Sequence, residues 1–277
     1  MSKHFLSENE LKKLKSYELD ALVEFDRICK KHGIPYTLCG GTMLGAVRHN
    51  GFIPWDDDVD VALLRGDYEK LEEIFSQEMD PRFFFQNHNT DKDWYRPYSK
   101  IRVNDTLFTE IAHAGRNIHH GIYIDIFPLD NVPDDRRERK RQSLKFKIAN
   151  TILSAKYIDI KSRKGTKKLV AGILRVLCFP FTLEYLYRKV NSISCRYNAV
   201  ESKEVKNFSG AYGEREILPR EYMTKMETVQ FEGKDLSMMA EYDDVLTRIY
   251  GDYMQLPPVE QRVTRHPVEN LSFGEEE

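Results

Sequence analysis

Residues 40–62 constrain the fold and the chemistry of this chain more than any other segment. They read GGTMLGAVRHNGFIPWDDDVDVA, so a glycine pair follows an apolar run and carboxylates then recur at every second position, at Asp56, Asp58 and Asp60. Alternate side chains of an extended strand lie on one face, so these three would crowd together while Asp57 points away. Crowded carboxylates resist ionisation unless a cation neutralises them, and oxygen ligands favour Mg²⁺ or Mn²⁺. The motif predicts a metal-dependent enzyme that acts on phosphates.

Two other kinds of structure also contain runs of aspartate. Adjacent aspartates are common in solvated loops, but here they continue into Val59, Val61 and Leu63, which is typical of a buried strand. A calcium-binding loop would share the spacing of the aspartates, but it requires a glycine where this chain has Val61. The residues therefore favour a catalytic metal site.

The composition argues against several classes of protein. The 277 residues suffice for one large domain or two small ones, and a net charge of −2 with a sequence pI near 6.5 argues against nucleic acid as a partner. The four cysteines, Cys29, Cys39, Cys178 and Cys195, form no C-x-x-C pair, as expected of free thiols in a reducing compartment. The N-terminal residues do not resemble an apolar signal segment, and no run of about eighteen uncharged apolar residues occurs. We expect a cytoplasmic protein.

Hydrophobic periodicity and turn residues predict an alternation of helices and strands. Ser7 and Glu10 form a capping box that opens a helix ending at Gly33. Further helices are predicted at residues 42–49, 68–79 and 241–250, and others lie between residue 135, where a basic helix begins, and about residue 199. Strands are predicted at 34–39, 58–64, 82–87, 98–103 and 121–127, and a hairpin is predicted at 229–236.

The predicted strand at residues 121–127, GIYIDIF, contains a single charged residue, Asp125. A lone carboxylate in an apolar strand is costly unless it is hydrogen-bonded, paired or bound to a metal. Asp125 is therefore either satisfied by backbone groups in the core or, as the first acidic strand favours, a third metal ligand.

From Pro133 onwards the composition changes. A strongly basic helix is followed by a second basic cluster, and residues 169–183 are then nearly all apolar apart from Arg175. The second cluster comprises Lys161, Arg163, Lys164, Lys167 and Lys168. This pattern is typical both of an element on a membrane surface and of a core helix with solvated neighbours, and both interpretations stay open. The change predicts a catalytic core at 1–132, a helical region at 133–205 and a C-terminal hairpin and helix at 206–277 that pack back on the core.

Three segments of the chain resemble the LicD family of phosphotransferases, to which fukutin and the fukutin-related protein are related. They are CGGTMLGAVRHNGFIPWDDDVD from Cys39, GIYIDIFPLD from Gly121 and YGDYMQLPP from Tyr250, in the order that the family shows. The resemblance covers most of the chain, although residues 133–205 contain nothing that matches. It implies an α+β nucleotidyltransferase fold, similar to the palm of DNA polymerase β, in which a small mixed sheet has flanking helices, with an added helical region here.

The resemblance also implies which residues carry the reaction. Asp58, Asp60 and Asp125 would be catalytic and, with Asp56 at the strand entrance, would hold one or two Mg²⁺ or Mn²⁺ ions. Asp125 would also accept the proton of the attacking hydroxyl. The candidate contacts to the phosphates of the donor are Gly40, Gly41, Thr42, Arg48, Lys100 and Arg102. Each of the three cations is also compatible with an ordinary surface position.

The implied activity is transfer of phosphocholine from CDP-choline, or of another phospho-alcohol from its CDP derivative, to a hydroxyl of a cell-surface glycan or its lipid-linked precursor. Lipopolysaccharide and teichoic acid are the expected kinds of acceptor, with peripheral contact at the inner face of the membrane. A nucleotidyltransferase that attaches NMP to a small acceptor stays open. A non-enzymatic glycan- or membrane-binding protein is disfavoured, because the carboxylates are intact. Aromatic residues near the motifs are candidates for cation–π contact with choline: Trp55, Trp94, Tyr95, Tyr98 and Tyr123.

Overall fold

The structure, a computed structural model, describes residues 5–156 and 165–274, without the side chains of residues 167, 168, 171, 174, 177 and 178. Its helices are α1 (Glu8–His32), α2 (Gly40–His49), α3 (Arg65–Tyr68), α4 (Leu71–Glu78), α5 (Arg136–Ala155), α6 (Gly165–Cys178), α7 (Leu183–Ser194) and α8 (Tyr242–Tyr250). Its strands are β1 (Thr37–Leu38), β2 (Asp60–Leu64), β3 (Phe83–Gln86), β4 (Ser99–Val103), β5 (Leu107–Glu110), β6 (Tyr123–Val132), β7 (Glu204–Asn207), β8 (Ile217–Pro219), β9 (Met226–Phe231), β10 (Lys234–Met239) and β11 (Val268–Ser272).

Helix α1 forms as its end signals predict. The Ser7 hydroxyl accepts the backbone N–H of Glu10, and the Glu10 carboxylate accepts the backbone N–H of Ser7, which completes the capping box. Gly33 ends the helix in a left-handed conformation with φ of +61° and donates its N–H to carbonyls of the last turn. One face of the helix, including Leu22 and Phe25, is fully buried in the main core. The helix thereby covers one face of the sheet.

The main sheet places two of the predicted carboxylates side by side. Its strand order is β1-β2-β6-β4-β3, and β7 and β8 continue from the second half of β6. Strands β2 and β6 run parallel and the other pairs run antiparallel. Asp60 on β2 lies opposite Asp125 on β6. Because paired residues of neighbouring strands lie about 5 Å apart, the register brings both carboxylates to the same place on the sheet.

The segments beyond β6 add a second layer of contacts. Helices α5 and α7 pack around a small separate core that contains Phe146, Leu153 and Val190. Strands β9 and β10 form a hairpin that contacts β1, and β11 pairs with β5 near the end of the described chain. None of the helices within residues 5–156 and 165–274 combines the length and the apolar character needed to cross a bilayer.

The structure confirms most of the predicted elements and corrects several bounds. The first strand is limited to Thr37–Leu38, because the following glycine pair already belongs to α2. Asp58 precedes β2 instead of opening it, and the helix predicted at residues 68–79 is split into α3 and α4. The hairpin is longer than expected, and strands β5, β7, β8 and β11 had no distinct signal in the sequence. The helix expected up to residue 199 ends at Ser194, and a short 3-10 turn follows. The division into three segments stays a prediction.

Candidate active site

The four predicted carboxylates line one cavity of about 730 Å³ at the edge of the main sheet. Asp60 and Asp125 reach it from β2 and β6, and Asp56 and Asp58 reach it from the loop before β2. The N-terminus of α2 forms one wall, and residues that follow β7 and α8 form the opposite walls. The fold therefore gathers four carboxyl groups beside the start of a helix.

Burial and mutual repulsion raise the pKa values of these carboxylates, so the cavity does not hold four full negative charges without a cation. Burial and the neighbouring Asp56 raise the pKa of Asp58 to about 7. Burial, Asp58 and Asp125 raise the pKa of Asp60 well above its usual range. Burial also raises the pKa of Asp125, although Lys100 opposes this effect with its ammonium 2.8 Å from Oδ1. A cation in the cavity would offset this repulsion, and an all-oxygen donor set of this kind suits Mg²⁺ or Mn²⁺.

The start of α2 is built to lie close to the carboxylates. Cys39 at the N-cap makes no side-chain hydrogen bond to the first turn, so backbone N–H groups of that turn lack a side-chain cap. The Thr42 hydroxyl accepts the backbone N–H of Asp60 at 2.8 Å, which fixes the helix start against β2. A Cβ added to Gly41 would lie 2.4 Å from Asp56 Oδ2, and one added to Gly40 would lie 3.0 Å from Asp60 Oδ2. The two glycines therefore permit this close approach.

Of the three predicted phosphate-binding cations, only Arg48 lines the cavity. Its Nη1 donates to the carbonyl of Tyr253 at 2.8 Å, which holds the guanidinium at the cavity wall. Lys100 is buried behind Asp125, with its ammonium 3.0 Å from the centroid of the Tyr123 ring. It acts on the cavity through Asp125.

Arg102 is placed away from the predicted phosphate position. Its guanidinium is buried and donates to Gln86 Oε1 at 2.7 Å and to the carbonyl of Gly121 at 2.8 Å. These contacts secure β4 and the entry to β6, so the structure assigns this arginine a place in the sheet and not in the cavity lining.

The C-terminal segment contributes two cationic residues that the sequence did not single out. Arg265 and His266 line the cavity, and His266 Nδ1 lies 3.9 Å from Asp58 Oδ2. Buried Asp57 holds this segment, because it accepts the backbone N–H of Arg265 at 3.3 Å and that of His266 at 3.0 Å. Asp57 Oδ1 also lies 3.0 Å from His266 Nδ1. Asp57 is not part of the cavity lining, and through these hydrogen bonds it holds residues about 200 positions further along the chain.

The surroundings of His266 favour its cationic form. Burial lowers its pKa, but the hydrogen bond to Asp57 and the charge of Asp58 raise it more strongly, to about 9. Among the described residues, Asp57, Asp58 and His266 form a set whose possible ligand atoms all lie within 4.8 Å of one another. This set shares only Asp58 with the predicted group of metal ligands. His266 Nδ1 lies 3.0 Å from Asp57 Oδ1 and 3.9 Å from Asp58 Oδ2, so the set is also an ion-pair cluster when the histidine is protonated.

The aromatic side chains at the cavity differ from most of those predicted. Trp55 lines it, whereas Trp94, Tyr95 and Tyr123 are buried in the protein, and Tyr98 lies outside the lining. The other aromatic side chains of the lining are Phe127 on β6 and, from the C-terminal half of the chain, Tyr212, Tyr250 and Tyr253. Tyr250 and Tyr253 lie in the third segment that resembles the family but were not predicted as choline contacts, and Tyr212, more than 150 positions after the first motif, had no signal in the sequence.

Comparison with known proteins defines the class of this site as that of a transferase. The family model described as the LicD/FKTN/FKRP nucleotidyltransferase domain matches residues 33–151, which contain all four carboxylates. The chain is 30% identical over 258 residues to the lipopolysaccharide cholinephosphotransferase LicD of Haemophilus influenzae, across 90% of this chain and 92% of the relative. It is also 37% identical over 68 residues to the human ribitol 5-phosphate transferase FKRP, across 23% of this chain and 14% of the relative. An uncharacterised protein of Rickettsia prowazekii is 36% identical over 123 residues, across 44% of this chain and 42% of the relative.

This chain belongs to the LicD family and is an enzyme of that family. The interpretation as a non-enzymatic binding protein is therefore set aside. The relatives share transfer of a phosphate-linked group in their names, which directs attention to how the cavity would hold such a group.

Proposed function

We propose that this enzyme transfers phosphocholine from CDP-choline, or a related phospho-alcohol from its CDP derivative, to a hydroxyl of a cell-surface glycan or its lipid-linked precursor. The observation that carries the proposal is the position of four carboxylates beside the uncapped start of α2 in one cavity. The cholinephosphotransferase relative, which aligns over most of both chains, supports the choice of phosphocholine and of a glycan such as lipopolysaccharide.

We propose that the carboxylates Asp58, Asp60 and Asp125, with Asp56, hold Mg²⁺ or Mn²⁺. The bound ion would supply positive charge to the pyrophosphate of the donor. The backbone N–H groups of Gly41 and Thr42 would bind phosphate oxygens at the helix start. Arg48 and Arg265 face this region from the other walls and would neutralise the remaining charge.

In the proposed reaction, the acceptor oxygen forms a bond to the phosphorus that carries the alcohol, and the bond from that phosphorus to the oxygen of CMP breaks. Asp125 accepts the proton of the attacking hydroxyl. Lys100, 2.8 Å from Asp125 Oδ1, would stabilise the ionised carboxylate before the transfer. CMP leaves with the electron pair of the broken bond.

We also propose that the core has the nucleotidyltransferase fold similar to the palm of DNA polymerase β. Support comes from the parallel pair β2 and β6, which carries Asp60 and Asp125 in register, and from the glycine-started helix just before it. The name of the matching family model also contains this term.

That name keeps nucleotidyl transfer as the second candidate function. The two reactions differ in the phosphorus that is attacked and therefore in the small product. A purified sample is given CDP-choline with lipopolysaccharide, or CTP with a sugar phosphate, and CMP and pyrophosphate are measured. The proposal predicts CMP together with choline-labelled glycan. Pyrophosphate from CTP without CMP from any CDP-alcohol would favour nucleotidyl transfer, and a panel of CDP-alcohols would identify the group transferred.

A further inference from the structure

Helix α6 presents apolar side chains to solvent. The exposed fractions of Leu169, Ile173 and Val176 are 67%, 52% and 72%, and Val170 is 54% exposed. At about 3.6 residues per turn these four side chains fall within roughly one third of the helix circumference. Phe179, just beyond the helix, is 85% exposed. A continuous apolar stripe of this kind is unusual on a soluble surface and marks an interaction site.

Helix α5 extends this surface and gives it charge. Leu144 and Ile148, one turn apart, are exposed to 58% and 53%. The helix contains seven lysines and arginines and one glutamate. The exposed basic side chains that share the outer face with the two apolar residues are Arg137, Lys140, Arg141, Lys145 and Lys147.

The two helices are in contact, and their C-terminal ends are joined. The Lys156 ammonium, just after α5, donates to the carbonyl of Phe181, just after α6. Phe181 stacks on Tyr185 with ring centroids 5.5 Å apart, and both rings are partly exposed. The apolar side chains of α6 and the basic face of α5 are thus held together as one element.

The positive charge of α5 indicates which partner binds the outer faces of α5 and α6. A second copy of this chain would bring the same basic face against itself in a symmetric dimer, and the like charges would repel. The surface of a bilayer with anionic lipids can bind both the apolar side chains of α6 and the basic side chains of α5. Its acyl boundary takes up apolar side chains, and its headgroups attract lysine and arginine.

We propose that the outer faces of α5 and α6, together with Phe179, form a docking surface for an anionic lipid bilayer. The apolar side chains insert at the level of the headgroups and the basic side chains contact the lipid phosphates. This docking surface lies outside the cavity, and the proposal does not depend on which phospho-alcohol the enzyme transfers.

Co-sedimentation of the full chain with vesicles tests the proposal. Vesicles of phosphatidylglycerol and phosphatidylcholine are compared with vesicles of phosphatidylcholine alone, at low and at physiological salt. We expect the anionic vesicles to bind the enzyme at least about tenfold more tightly, and we expect salt to weaken this binding. An enzyme that stays in the supernatant with anionic vesicles at low salt would overturn the proposal.

Matched variants separate docking from general changes of the surface. Phe179→Asp, alone and with Ile173→Asp and Val176→Asp, should weaken vesicle binding at least about tenfold, because charge replaces inserting apolar groups. Val200→Asp changes a side chain that is 59% exposed on another segment and should bind like the parent. Because Phe179 is the most exposed of these residues, the single variant remains informative if the triple variant does not fold.

Two further readouts complete the test. CMP release with a water-soluble acceptor should be the same in parent and variants, so loss of docking is distinguishable from failure of the proposed function. Light scattering shows whether the face joins two copies of the chain. A dimeric parent and a monomeric Phe179→Asp variant, with equal binding of both to vesicles, would contradict the proposal and assign the face to self-association.

Discussion

Replacing Gly41 with alanine tests how closely the helix start and the carboxylates must approach. The added Cβ would lie 2.4 Å from Asp56 Oδ2, which is too close for the two atoms to stay where they are. The atom in the way is the end of a flexible side chain, so we expect Asp56 to turn aside while the fold persists. Alanine gains up to about 1 kcal/mol of helix propensity over glycine, and overpacking costs about 1–3 kcal/mol, so the net cost is about 0–2 kcal/mol.

We therefore expect a small effect on stability and a large one on activity. The melting temperature of Gly41→Ala should fall by at most about 8 °C, since 1 kcal/mol corresponds to about 2–4 °C for a chain of this size. Displacement of a catalytic group by about 1 Å can cost about 100-fold in rate, so kcat/KM should fall about 10- to 100-fold. The assay is CMP release from CDP-choline with lipopolysaccharide as acceptor. Gly66→Ala is the matched control, because an added Cβ there meets nothing within 4 Å.

A double-mutant cycle shows whether Asp56 transmits the effect. In an Asp56→Ala background, the Gly41→Ala change should cost less than about twofold, because the clash is gone and the two changes are not independent. An equal loss in both backgrounds would mean that the glycine admits a phosphate directly and that its contact with Asp56 is incidental. Full activity of Gly41→Ala would refute the reasoning altogether.

Two further predictions concern stability. Buried Asp130 accepts two hydrogen bonds from Arg65, at 2.7 and 2.8 Å, so Asp130→Ala should lose about 3–5 kcal/mol in urea unfolding. The exposed ion pair of Arg82 and Asp80 gives the control, because Asp80→Ala should cost at most about 1 kcal/mol. Equal losses for Asp130→Ala and Asp80→Ala would contradict the stabilising role of the buried pair. The folded-state pKa of His266, about 9, lies above its usual value of 6.5, so its ion pair with Asp57 stabilises the fold below about pH 6.5, and this contribution disappears as the pH rises through 9. The melting temperature of His266→Gln should fall below that of the parent at about pH 6 and approach it near pH 10, whereas a difference independent of pH would exclude the imidazolium.

Short sequence patterns predicted those elements whose ends and buried faces depend on residues close together in the chain. The capping box and Gly33 define both ends of α1, and the alternating pattern around Asp60 predicted a buried strand. The resemblance to the LicD family further implied that Asp125 lies on a neighbouring strand, and the register of β2 with β6 confirms this.

Contacts between distant segments left no periodic trace in the sequence. Asp57 appeared only as the aspartate that points away from its neighbours, and its partners Arg265 and His266 lie in a segment without helical or strand periodicity. Lys100 and Arg102 were predicted either as candidate contacts to the phosphates or as ordinary surface cations. Strand β4 is buried along its whole length, so both side chains are satisfied inside the protein. The residues of the second basic cluster lie outside the described residues or have side chains that are not described.

Binding of Mn²⁺ to the parent and to Asp60→Asn, measured by calorimetry alongside CMP release, tests the central claim most directly. The claim is that the carboxylates of this cavity hold a divalent ion on which transfer depends. We expect the parent to bind Mn²⁺ and to lose CMP release when EDTA is added. Asp60→Asn should lose both properties and keep its fold, because removal of one of several crowded like charges does not destabilise the cavity. Undiminished CMP release in EDTA, or from Asp60→Asn, would contradict the account.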